Sequence, residues 1–201
     1  ALKTHTNPGD MAIMDGASHM VINEGGAAAA LAGVTVWRVQ GRFGVFTGDD
    51  VRAAVGVAHP FQPPYHSPLP RVVCTENTHN AGGGGVWPLD ATRSVAEAAR
   101  ENGLAMHMDG ARIWHAAIAM GIPEATLAEP FDSVSVCFSK GLGAPVGSAL
   151  VGSREFIERA RRYRKMYGGG VRQAGIIAAG ALHALEQHRA RLADDHREAR
   201  R

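Results

Sequence analysis

Two hundred and one residues, 45% hydrophobic and 20% charged, describe a soluble globular chain of one large domain, or one domain and part of another, and exclude a disordered or fibrous protein. No apolar stretch reaches the ~18 residues of a membrane span and no N-terminal segment has the layout of a secretory signal, so a cytoplasmic protein with no membrane partner is expected. The net charge of +2 conceals an asymmetry: residues 1–150 carry 9 basic and 13 acidic side chains, residues 151–201 carry 12 and 6, and the C-terminal quarter is suited to face a phosphate, a nucleic acid or an acidic subunit.

In chain order, Met11–Asp15 reads as a strand, followed by a small-residue helix over Glu24–Gly33 and a strand over Val34–Val39. Two acids open a helix at Asp49–Val55. Five prolines make residues 60–70 a loop. Arg71–Thr75 is a strand, Gly82–Gly85 a turn, and Asp90–Asn102 a helix capped by Asp90 and ended by Gly103. A strand over Leu104–Asp109 precedes a helix that Gly121 ends. Strands at Ser133–Phe138 and Ser148–Val151 follow, then helices over Arg154–Met166 and Val171–Arg201, parted by Gly168–Gly170. Strands alternating with helices predict a three-layer α/β/α domain with a mainly parallel sheet. Cys74 and Cys137 each sit in an apolar run and read as buried thiols of a reducing compartment.

In such a sheet ligands bind beyond the C-terminal strand ends, and the polar clusters of this chain fall there. His19 follows the first strand, Glu76-Asn77-Thr78-His79 the third, Asp109-Gly110-Ala111-Arg112 the fourth and Ser139-Lys140 the fifth. Lys140, between an apolar run and Gly141-Leu142-Gly143, suits a desolvated amine nucleophile; the plainer reading is a lysine at a strand end. Asp109 suits the protonated ring nitrogen of a pyridine cofactor and Arg112 a carboxylate clamp; the plainer readings are a helix cap and a surface arginine. His107 and Asp109 lack a third ligand at metal-binding spacing, so no metal is expected. The basic run Arg159–Lys165 has one aromatic and charges all round, which favours a solvated face or subunit contact over nucleic acid. Gly82–Gly85 lacks a phosphate-loop ending, and His183, His188 and His196 have no metal-binding spacing and read as surface residues.

Four ordered stretches resemble the threonine aldolases, pyridoxal-phosphate enzymes of the aspartate aminotransferase fold (fold type I). They are Glu76-Asn77-Thr78-His79-Asn80, His107-Met108-Asp109-Gly110-Ala111-Arg112, the run Ser139–Ser148 around Lys140, and Arg164–Gln173. His19 before Glu24-Gly25-Gly26 and His66 in the proline-rich loop are weaker matches. The resemblance implies that Lys140 bonds covalently to pyridoxal 5'-phosphate. It further implies that Asp109 partners the ring nitrogen, that Arg112 clamps the substrate carboxylate or ring oxygen, and that His19 stacks on the ring. His66 would stand near the substrate hydroxyl as its base, and Lys165 and Arg172 would reach the phosphate across a subunit boundary.

The expected reaction is cleavage of L-threonine or L-allo-threonine to glycine and an aldehyde by a homodimer or homotetramer with shared sites. The alternatives are an aminotransferase or β-eliminating lyase of the same fold, or a piece serving only subunit association. The resemblance departs at the ends. The family's N-terminal phosphate-binding loop and C-terminal small domain have no counterpart, so residues 1–201 read as part of the cofactor-binding large domain and the chain as a fragment.

Overall fold

A computed structural model of the chain describes residues 1–56, 61 and 63–199. Six strands form one sheet in the order β2-β1-β3-β4-β5-β6: β1 Met11–Asp15, β2 Thr35–Val39, β3 Pro70–Glu76, β4 Ala105–Gly110, β5 Ser133–Cys137 and β6 Ser148–Gly152. The first five in that order are mutually parallel, and β6 closes the edge antiparallel to β5. This is the expected mainly parallel α/β/α architecture.

The layering follows from strand periodicity. Along β1, Met11 and Ile13 join Val73, Leu104 and Met106 in one core, while Ala12 and Met14 join Val72 and Cys74 in another. Both faces of the central strands are therefore covered, which is why β1 is buried throughout. The first core is roofed by α3 (Gly48–Val55) and α4 (Leu89–Glu101), with Phe46 edge-on to Trp87 at 4.9 Å. The second lies under α1 (Leu2–His5), α2 (His19–Ile22) and a π-helical turn at Ala28–Ala32. A third core gathers α5 (Ile113–Met120) and α6 (Glu124–Ala128) with Leu142, Ala184 and Leu192. After α7 (Arg154–Met166) the chain ends in α8 (Gly175–His183), a π-helical turn at Ala184–His188, a 3-10 turn at Arg189–Arg191 and α9 (Leu192–Glu198).

Several expectations need correction. The helix expected over Glu24–Gly33 is only the short π-helical turn, because α2 forms earlier, at His19. Asp90 does not cap α4: Pro88 is the N-cap, and Asp90 lies in the first turn, where an acid still favours the helix dipole. The helix expected from Val171 begins at Gly175 and changes winding three times before Glu198. Cys74 is buried, its thiol pushed up to about 12 by burial, but Cys137 is only half-buried, with Sγ 3.2 Å from Ser139 Oγ. Part of the 60–70 loop, together with Arg200 and Arg201, lies outside the described residues. Among the described residues no helix is long and apolar enough to cross a membrane.

Candidate active site

The C-terminal ends of β1, β3, β4 and β5 share one rim, and β3 and β4 set Glu76 opposite Asp109. The two carboxylates have different surroundings. Both oxygens of buried Glu76 are engaged by backbone donors: Oε2 accepts the His19 N–H at 2.6 Å and Oε1 the Asn80 N–H at 2.8 Å. It therefore fixes the start of α2, and with it His19. Asp109 accepts only the Ala111 N–H, at 3.1 Å on Oδ1, and no described protein group donates to Oδ2. Burial, reinforced by the like charge of Glu76, raises the Asp109 pKa, while the Ala111 N–H, Lys140 and His19 oppose the rise.

Gly110 then turns the chain into α5. A side chain there would meet the Ser135 carbonyl at 2.9 Å, so only glycine lets β4 pass this close to β5. Arg112 follows as the N-cap residue of α5, half-buried. Lys140 lies beyond β5 in a turn closed by the Gly143 N–H donating to its carbonyl at 2.8 Å. It is exposed rather than desolvated as expected, because it stands in a surface turn beyond the end of β5. His19 is half-buried, with Nδ1 2.9 Å from Glu24 Oε1.

The other expected residues are not gathered here. His66 stands exposed in a 3-10 turn, Pro64–His66, against the Tyr65 ring at 4.8 Å. Lys165 and Arg172 are exposed at the end of α7 and beyond it.

A second set of residues, given no role from the sequence, builds the floor. Asp15 accepts the Ala17 and Gly41 N–H groups at 2.9 and 2.8 Å. His79 Nδ1 accepts the Gly82 N–H at 3.0 Å, which puts the ring proton on Nε2. That nitrogen sits 3.2 Å from Asp15 Oδ1, off the hydrogen-bond axis, and 3.9 Å from Glu76 Oε2. The cluster locks the loops after β1, β2 and β3 together. Only the polar character of the run Glu76–His79 hinted at it.

Beside the rim, a cavity of about 680 Å³ reaches Asp109 and Ser135, with Met20 and Glu24 on one wall and Arg161 and Arg164 of α7 on another. Near it, Ser133 Oγ bridges His5 Nε2 at 2.7 Å and His107 Nδ1 at 2.8 Å. Burial, the largest cause in both, pushes His5 down to about 4 and His107 to about 3.

A stability prediction follows from these two histidines. Both are neutral in folded and unfolded chains above the ordinary value near 6.5. As pH falls below it, the unfolded chain takes up protons first, and stability drains until the folded values are reached. Unfolding free energy from urea melts should be lower by about 2–3 kcal/mol at pH 5.5 than at pH 7.5. His5→Gln should remove about half of that dependence. An unchanged dependence would show that these imidazoles are not held neutral.

The donor set fits a pyridoxal cofactor. Asp109 is a desolvated carboxylate with one oxygen lacking a protein donor, as a protonated ring nitrogen requires, and Lys140 carries a primary amine on the same rim. Arg112 and His19, from the adjoining strand ends, complete the residues that would hold it.

The fold is that of pyridoxal-phosphate enzymes of the aminotransferase type. The threonine aldolase of Leishmania major superposes with a TM-score of 0.85 at 20% identity, over 98% of this chain and 57% of that one. An aspartate aminotransferase of Thermus thermophilus gives 0.72 at 15% identity, over 98% and 49%. Residues 1–201 match the beta-eliminating lyase family along their whole length, and the chain belongs to that family. Among its relatives are the low specificity L-threonine aldolases of Escherichia coli K12, 40% identical over 98% of this chain and 57% of the relative, and of Candida albicans, 38% identical over 94% and 49%. The chain spans about half the length of the curated relatives it matches.

Proposed function

We propose that this protein cleaves L-threonine or L-allo-threonine to glycine and an aldehyde with pyridoxal 5'-phosphate, and that residues 1–201 form part of its cofactor-binding large domain. The observation that carries the reading is the pairing, on one rim, of the Lys140 amine with an Asp109 carboxylate that has an oxygen to spare. Relatives with the same alignment over nearly the whole span support it.

When bound, pyridoxal phosphate supplies an aldehyde carbon for an amine and a ring that accepts the electrons of the broken Cα–Cβ bond. Lys140 provides that amine. Asp109 keeps a proton on the ring nitrogen, and burial beside Glu76 leaves its carboxylate in need of that positive partner. Arg112 pairs with the substrate carboxylate or the ring oxygen. His19, its backbone pinned by Glu76, would supply an imidazole to hold the ring. His66, exposed in the loop before β3 and apart from the rim in these residues, is the group we assign to take the proton from the substrate β-hydroxyl in the assembled protein. Lys165 and Arg172 hold the phosphate of a neighbouring subunit's site, so the working unit is a homodimer or larger, in the cytoplasm. A mixture of Lys140→Ala and Arg172→Ala subunits should therefore regain activity once the subunits exchange.

For His66, phenylalanine should slow threonine cleavage by about 10²–10⁴-fold, the usual loss with a catalytic base. Glycine, which has no hydroxyl, should bind nearly as before. Equal losses for both would reduce His66 to a wall of the pocket.

The reading is tested by incubating the full-length protein with pyridoxal phosphate, reducing with borohydride and mapping the modified peptide. A pyridoxyl group on Lys140 is expected. Modification confined to Lys3 or Lys165, the other lysines of residues 1–201, would overturn it.

A further inference from the structure

Three histidines from separate elements stand behind the Lys140 turn, two against its backbone and the third against the ring of one of them. His115, on α5, places Nε2 against Gly141, where a side chain on residue 141 would collide with it and meet Leu192 Cδ2 at 3.0 Å. His188 Nδ1–H donates to the Leu142 carbonyl at 2.7 Å. His115 Nδ1 lies 3.1 Å from Nε2 of His196, on α9. Behind them a cavity of about 180 Å³ separates Gly141–Gly143 from Arg191, Leu192 and Asp195. The sequence placed His188 and His196 on the surface, yet both are half-buried, because Ala184 and Leu192 carry their helices into the third core.

We propose that His115 is a positioning residue for Lys140, its ring braced by His196 and wedged on Gly141 so that the C-terminal helices set the height of the lysine turn. The proposal rests on reading Lys140 as the cofactor's amine. Two imidazoles at this separation hold together by sharing a proton: one N–H donates to the other's lone pair. A single added proton preserves that bond, whereas charging both rings removes the acceptor and sets two cations side by side. The groups facing the pair are Asp195, which favours the charged His115, and Arg112, which opposes it together with His196. Asp194 and Arg197 flank His196 on α9. Burial, the largest influence, lowers the His115 pKa and keeps the brace intact at neutral pH.

Hydrogen exchange of the 139–144 segment in the full-length protein, corrected for the intrinsic pH dependence of exchange, tests this. Protection should be level around neutral pH and fall toward acid pH, by about tenfold once both rings are charged, the factor expected from two unit charges repelling at this distance in water. The β1 segment serves as the control for global opening. His115→Gln, which keeps a neutral amide toward His196, should hold the turn's protection level across the range, and His115→Ala should lower it at every pH. A level profile in the unmodified protein, or the same fall in His115→Gln, would overturn the brace. Exchange requires no added cofactor, so the two readings fail separately. Absence of a Lys140 adduct with the profile intact would remove the cofactor assignment and leave the brace standing.

Discussion

Lys140→Ala in the full-length protein should abolish the borohydride-reducible adduct and lower threonine cleavage by at least about 10³-fold, on the scale of losing a covalent nucleophile. The size of the effect follows from the scarcity of substitutes. Residues 1–201 hold three lysines: Lys3, on α1, lines the cavity that reaches Asp109 but donates to the Ala32 carbonyl at 3.2 Å, and Lys165 stands exposed at the end of α7. An arginine cannot replace the lysine, because a guanidinium stays protonated and offers no amine lone pair. Retention of more than about a tenth of the activity would place the chemistry on another group.

The second large effect is expected at Asp109. Asparagine preserves the shape and the Ala111 N–H contact but removes the charge that holds a proton on a ring nitrogen. Turnover should fall by about 10²–10³-fold, the range for losing one preorganised electrostatic partner. Cofactor affinity, read from quenching of protein fluorescence, should change far less, since the covalent bond and the phosphate contacts remain. Glu76→Gln is the informative contrast. Its oxygens are already spent on the His19 and Asn80 N–H groups, so it should loosen His19 rather than alter the ring's protonation. Equal and small effects of both substitutions would show that Asp109 is an ordinary strand-end carboxylate.

The strands were legible because apolar residues on alternate faces leave continuous buried runs, as in Met11–Asp15 and Val72–Cys74. The polar residues immediately after those runs fall on the rim by topology, so His19, Glu76, Asp109 and Lys140 could be placed from the sequence. Caps were harder. Thr47 and Asp50 form a reciprocal box at α3, but Pro88 displaces the start of α4 so that Asp90 acts through the dipole alone. The floor built by Asp15 and His79 and the His115–His196 brace were illegible, because their partners are 64 and 81 residues apart and only packing joins them. The exposure of Lys140 was equally hidden: the run before it is apolar, but the turn that carries it faces outward.

If this rim cleaves the Cα–Cβ bond of a β-hydroxy-α-amino acid, product analysis shows it most directly. The full-length protein, loaded with pyridoxal phosphate and given L-threonine or L-allo-threonine without any keto acid, should release glycine and acetaldehyde in equal amounts, and Lys140→Ala should release neither. Formation of ammonia and a keto acid instead, or turnover only when a keto-acid acceptor is supplied, would contradict the account.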